Sequence, residues 1–392
     1  MSKVFDQEGE EIEIPPLKKV EKALSAPDFF ILTSPEMDAL ERAAADGRQG
    51  RHYANLEQET ARVHQIQGAS HYVRLDLTHE EKLAGLKHDS LETLSGAQDA
   101  DATLAFLYIS RLLAPPSPLP ANLFSGGWVD FDDVIAKIGW APESTAERRA
   151  MHARLMKFIL FGERAQVIGS RRGIYTDKHT GTEIRTTIRS PIWRIAKIEE
   201  PEQGSLYPEL EVPVRVQLVV MEEWSQLLTQ PQTAQYLPMG ELLGSIPGNK
   251  PSGAWARVIG LALASFWRRL PRETIDGSVK PTRRELLERY PPKTGSVLDV
   301  LSGDNPQYAI KYWCVALQLL VGCGFLDNQG DAIIDAKTMR ANLPRKGWTL
   351  QWLDSPVDLR PGPVMQDAMK NRVAAKPIAA PRKRGRPRKN PA

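Results

Sequence analysis

Cysteine is nearly absent: 392 residues contain only Cys314 and Cys323. Both sit in an apolar run without Cys-x-x-Cys spacing. They read as buried free thiols of a reducing compartment, and a disulfide framework is excluded. No apolar stretch approaches the roughly 20 residues of a membrane span. The chain opens polar and acidic, without a signal-peptide pattern, so a cytoplasmic protein is expected. The seven histidines (52, 64, 71, 79, 88, 152 and 179) never form the His-apolar-His metal pair that a rolling-circle nickase needs near its tyrosine. Gly244 to Lys250 has the wrong spacing for a phosphate-wrapping loop and reads as a loop before a helix. There is no Gly-x-Ser-x-Gly elbow and no Cys/His cluster suited to zinc. The acidic pairs Asp132/Asp133 and Glu222/Glu223 fall at helix starts, where they suit the helix dipole better than a two-carboxylate site. Neither catalysis, a cofactor, a metal nor a membrane is expected.

What the chain does have is an uneven charge. The formal net charge is +3, but residues 370–392 carry nine Lys/Arg and no acid, which leaves the remainder at −6. Residues 1–100 come to −8, whereas 148–194 reach +8 and 250–293 reach +6. Two basic patches and a basic tail behind an acidic front suit a polyanion bound at several places. A single patch would read as a solvated helix face.

The patches fall on recognisable local patterns. Residues 1–25 are charged. Ser34-Pro35 starts a helix to about Asp46, and Thr78 with Glu81 forms a capping box for a helix ending near His88. The acidic region 1–100 thus reads as helical and weakly packed. A helix follows from Ala102 to Leu113, ending at the Pro115-Pro116-Ser117-Pro118 breaker. Trp128 to Phe131 reads as a strand or a helix entry, Asp132–Ile138 as a short helix closed by Gly139, and Trp140-Ala141-Pro142 as a turn. Ser144 with Glu147 caps a longer helix to about Phe161, and strands follow from Val167, from Glu183 to Arg189 and from Ile192. Short helix, turn, long helix and basic hairpin is the order of a winged helix, here over 101–200. Its candidate DNA-binding residues are Arg148, Arg149, His152 and Lys157 on the helix and Arg171, Arg172, Lys178 and Arg185 on the hairpin.

After a connecting segment (201–235) with a strand from Val212 to Val220, a second unit spans 236–340. It has a long helix over Ser252–Leu270, a basic short helix over Thr282–Tyr290, and a helix from Asn305-Pro306 to Gly322. A small hairpin is predicted over Phe325–Ile334, giving a second, short-winged unit. Its candidates are Lys280, Arg283, Arg284, Gln307, Tyr308 and Lys311. Residues 341–380, Pro-rich and aperiodic from 355, read as a flexible linker. The expected fold class is therefore α+β, mainly α with small β-hairpins, ending in a disordered basic tail.

That tail, over 381–392, contains Arg382, Lys383, Arg384, Gly385, Arg386, Pro387 and Arg388. AT-rich tracts narrow the minor groove and deepen its negative potential, which draws arginine side chains. Gly385 lets the backbone approach the groove floor, and Pro387 keeps the chain extended. The segment closely resembles the AT-hook.

The two-unit architecture over about 100–340, with Ile138-Gly139-Trp140 after a short helix and then a basic helix, resembles the iteron-binding plasmid replication initiators. The resemblance implies double-stranded DNA as partner, each unit reading half of a direct repeat in the origin. It also implies opening of an adjacent AT-rich tract and contact with host replication proteins. An AT-hook and an acidic front are not general features of that family. Two other functions use the same features: a transcription or partition regulator, and a structural subunit of a recombination or defence complex. A monomer–dimer equilibrium is compatible with each.

Overall fold

The computed structural model describes residues 3–5, 11–12, 35–56, 61–67, 71–77, 88–113, 124–176, 183–199, 212–221, 224, 240–248, 250–267, 280–290, 297–344 and 346–370. The helix predicted to end near His88, a further helix that the sequence predicts from Met221 and the basic tail 381–392 fall outside these residues or almost wholly so. The chain mixes helix and sheet, with more strand than small hairpins would supply. Two antiparallel sheets of five strands are present among the described residues.

The first sheet has the order β2-β1-β6-β10-β9, from strands β1 (Lys3–Phe5), β2 (Glu11–Ile12), β6 (Phe124–Asp130), β9 (Trp193–Glu199) and β10 (Arg215–Val220). The second has the order β3-β4-β5-β7-β8, from β3 (Tyr53–Leu56), β4 (Ala61–His64), β5 (His71–Asp76), β7 (Ala165–Thr176) and β8 (Glu183–Pro191). Two expectations are corrected here. The front hundred residues are not simply helical, because β3, β4 and β5 lie within them. The basic hairpin is not a free wing, because β7 pairs with β5 on one side and β8 on the other, with Val73 opposite Val167. The chain passes between the sheets at Ile192, which is buried and whose amide donates to Gly162 O at 3.2 Å.

Several helices form where caps and apolar faces predict them. Helix α1 (Pro35–Asp46) covers β5 and β7, and α2 (His88–Gly96) lies over β4. Asp99 accepts from the amides of Asp101 and Ala102 at 3.1 and 3.2 Å and so starts α3 (Ala100–Leu113), which is buried over most of its circumference. Asp130 caps α4 (Phe131–Lys137), and Ser144 caps α5 (Thr145–Arg164), accepting from the Glu147 amide at 3.1 Å. The Glu147 carboxylate reaches back to the Glu143 amide at 2.8 Å, one residue before the expected capping-box partner.

In the C-terminal half, α6 (Gly240–Gly244) leads to α7 (Pro251–Trp267), followed by α8 (Arg283–Arg289), α9 (Val297–Ser302) and α10 (Gln307–Gly322). Helix α10 buries Ile310, Trp313, Leu317 and Leu320 and exposes Gln307, Tyr308, Lys311 and Gln318, the division its periodicity predicts. The predicted hairpin over Phe325–Ile334 does not form: Gly330–Ile333 is a 3-10 turn, and Leu326 bridges Pro361 instead. The predicted linker is likewise ordered in part, as α11 (Ala336–Ala341) is followed by α12 (Trp348–Asp354) and α13 (Pro363–Lys370). Met365 and Met369 of α13 are buried, which outweighs the proline-rich composition around them. Buried apolar side chains from Met37 to Met369 make one contiguous cluster.

Helix α5 meets β9 with no spare room. The Trp193 indole donates to Ile159 O at 3.0 Å, and a Cβ on Gly162 would lie 2.4 Å from its ring. Gly162→Ala should therefore destabilise the protein by about 1–3 kcal/mol through overpacking. Urea denaturation checks this, and an unchanged midpoint would show that Trp193 has somewhere to move.

Candidate nucleic-acid interface

The α4–α5 pair is set by a tight turn at Gly139, whose φ of +69° lies in the left-handed region. Burial of Leu155, Phe158, Ile159 and Phe161 fixes the inner face of α5. Arg149 and Lys157 are then left exposed, and neither side chain has a partner among the described residues. Both were sequence candidates, and both hold the position assigned to them.

Other candidates on this unit have different tasks. Arg148 grips the Asp132 carboxylate with two hydrogen bonds, one of them 2.7 Å from Nε to Oδ1. His152 is 4% exposed, bonds Asp132 Oδ1 at 2.9 Å and sets its ring edge-on to Phe131. Its place among the DNA-binding candidates is thus corrected: buried, it braces α5 against α4. The Arg148 hydrogen bonds push the pKa of the Asp132 carboxyl down to about 2, against the cost of burial and with help from His152. Arg171, Arg172 and Arg185 lie in the paired strands β7 and β8, Arg171 opposite Thr186. Lys178 and the tail residues Arg382 to Arg388 lie outside the described residues.

In the second unit the structure separates the candidates sharply. Lys280, Gln307, Tyr308 and Lys311 are exposed, and Tyr308 stacks on Tyr312 with centroids 5.9 Å apart. Arg283 is 6% exposed, donates to Trp352 O at 3.2 Å and lies against the rings of Trp313 and Trp352. It is a core side chain, without the exposure that a phosphate contact needs. Arg284 is tied to Asp354 at 2.7 Å and to Glu288 at 3.0 Å. Helix α8 is further occupied by the front of the chain, through Arg289 to Asp38 at 3.4 Å and the Tyr290 hydroxyl to Glu41 at 3.2 Å. Both arginine candidates are therefore corrected, and the basic character of α8 is largely satisfied within the molecule.

Sequence reasoning missed the most connected polar cluster. Arg257, 1% exposed on α7, donates from Nη1 to Asp101 Oδ1 at 3.2 Å, from Nη2 to Gly139 O at 3.0 Å, and from Nε and Nη2 to Ile246 O at 3.0 and 2.6 Å. Asp101 also accepts from Trp140 Nε1 at 3.3 Å and from Arg154 at 3.2 Å. Arg154 also bonds Asp99, and its guanidinium sits over the Trp140 ring at 4.5 Å. Burial opposes the charge on Asp101, but Arg154 and Arg257 outweigh it and hold the carboxyl below its usual range. Beside the cluster is a cleft of about 340 Å³, walled by Trp140, Glu147, Met151, Arg154 and Val258. The available signal was a lone arginine in a helix otherwise made of apolar and small residues. Among the described residues no three His, Cys, Asp or Glu side chains are grouped to hold a metal ion, and no helix is long and apolar enough to cross a membrane.

Removing Asp101 would leave the buried Arg257 guanidinium without its carboxylate and take one of two carboxylates from Arg154, so Asp101→Ala should cost about 3–5 kcal/mol. Because its folded pKa is depressed, the carboxylate's contribution is full above the unfolded value of about 3.9 and is lost as pH falls through the folded value. Urea denaturation should show the wild type and Asp101→Ala far apart at neutral pH and converging in acid. A gap that does not change with pH would overturn this assignment. No protein-family model, curated protein or solved structure matches the chain.

Proposed function

We propose that the chain binds double-stranded DNA in a sequence-specific manner, without catalysis, and acts as an initiator of plasmid or phage replication at origin repeats beside an AT-rich tract. The observation that carries the reading is the outer face of α5. A short helix and a left-handed glycine turn precede it, its inner face is locked in the core, and Arg149 and Lys157 project from it without partners among the described residues. Immediately after it comes the β7–β8 ribbon, whose sequence carries Arg171, Arg172, Arg185 and Arg189. A helix that reads base edges beside a ribbon that holds backbone is the working arrangement of a winged helix. Here the ribbon is also the edge of a five-stranded sheet, which would stiffen it.

The second unit contributes Lys280, Gln307, Tyr308 and Lys311 in this reading, with no wing and without Arg283 or Arg284. The tail sequence Arg384-Gly385-Arg386-Pro387 adds a minor-groove element suited to the AT-rich tract.

Footprinting and competition binding on the DNA flanking the gene test the proposal. Arg149→Ala should relax discrimination at one or two base pairs, costing about 1–3 kcal/mol on the best site. Arg171→Ala with Arg172→Ala should weaken all sequences about equally and lower the salt slope by roughly two. Arg384→Ala with Arg386→Ala should weaken AT-rich duplex much more than GC-rich duplex. If the Arg149 variant discriminates like the wild type, α5 does not read DNA. If no duplex is preferred over random sequence, the whole reading fails.

A further inference from the structure

Backbone encloses Arg257 from more than one side. A Cβ on Gly139 would lie 2.5 Å from Arg257 Nη2 and 2.1 Å from Gly244 O, and a Cβ on Gly248 would lie 2.1 Å from Nη1. A Cβ on Gly244 would lie 2.2 Å from Lys137 O. The α4–α5 turn and the α6–α7 loop therefore touch backbone to backbone, and the guanidinium fills the slot between them. It satisfies Gly139 O, Ile246 O and Asp101 at once, so it bonds the turn before α5, the loop before α7 and the start of α3. Helix α7 in turn holds the α10 region at both ends: Trp255 meets Tyr312 edge-on at 5.9 Å, and Trp267 stacks on Phe325 at 5.4 Å.

We propose that Arg257 is a positioning residue that fixes the outer face of α5 relative to that of α10, and so sets the spacing of DNA segments the protein accepts. The second half of the statement rests on the DNA-binding reading; the first does not. A well-packed apolar side chain could stabilise such a site comparably, but it would supply no directional bonds. A planar guanidinium that reaches three acceptors in a fixed fork defines one register between the pieces it joins. Lysine, a point donor on a flexible stem, keeps the charge and loses that register.

Two variants probe the slot differently. Arg257→Lys removes the fork, whereas Gly248→Ala leaves the arginine in place and crowds its head. Circular dichroism and thermal melting establish that each is folded. Spin labels at Lys157→Cys and Lys311→Cys, in a Cys314→Ala, Cys323→Ala background, then report the distance between α5 and α10. We expect one narrow distribution in the protein with Arg257 and Gly248 intact, and a clearly broader or shifted one in both variants. Unchanged distributions in both would overturn the positioning role.

The DNA half is read with unlabelled protein on duplexes in which half a helical turn, about 5 bp, is inserted between the two protected segments. The wild type should lose on the order of tenfold in affinity and the variants less than about threefold, each relative to its own uninterrupted duplex. A broadened distance with an undiminished insertion penalty would show that Arg257 fixes the helices but does not set DNA spacing. A wild type that binds no duplex would sink the DNA reading and the spacing claim, while the distance measurement still decides whether Arg257 pins the two helices.

Discussion

A single arginine on an apolar helix bonds a carboxylate 156 positions away in the chain, and the arrangement of α3, α5 and α7 depends on that contact. Arg257 lies on α7, and Asp101 on α3 is its charged partner at 3.2 Å. Both are largely withdrawn from water, so each would be costly alone and is tolerable only in the presence of the other. Arg154 on α5 shares the same carboxylate, and Trp140 and Gly139 supply the turn between α4 and α5. The ion pair therefore acts on the helix that bears Arg149 and Lys157. If it is lost, the angle at which that helix leaves its turn is no longer fixed.

The same economy governs the basic residues as a whole. A positive count along the sequence suggests broad cationic surfaces, yet many of those charges are answered within the fold. Arg148 belongs to Asp132, Arg284 to Asp354 and Glu288, Arg289 to Asp38, and Arg283 to the faces of two tryptophans. Part of the acidic front is used in this way, because Asp38 and Glu41 of α1 engage α8. Among the described residues, exposed cations remain on the outer faces of α5 and α10, and also at Lys280, on β9 (Arg194 and Lys197) and at Lys250, Lys337 and Lys346.

Much of the local structure was legible. Ser144 announces α5, Gly139 marks the turn before it, and the spacing of Ile310, Trp313, Leu317 and Leu320 gives the buried face of α10. The missing pieces share a physical cause. Strand β4 buries Arg62 and His64, and β5 buries His71, so polar letters stand where an alternating apolar pattern would be sought. They are tolerated because Arg62 donates to Ser95 at 2.7 Å, His64 bonds Asp46 at 3.0 Å and His71 lies 3.5 Å from Glu36, partners far away in sequence. Arg257, Arg283 and His152 were misjudged or overlooked for the same reason: a charged letter reads as surface until its buried partner is known. In α13, tertiary burial of Met365 and Met369 decides against the local composition.

The central claim is that the Asp101–Arg154–Arg257 cluster joins the sheet-bearing half and the helical C-terminal half into one cooperative body. Native-state hydrogen exchange tests it most directly. The slowest amides of α3, α5, α7 and α10 should open with one common free energy, and Asp101→Ala should lower that value equally in all four helices. Separate opening energies for the two halves, with the substitution felt in only one of them, would contradict the account.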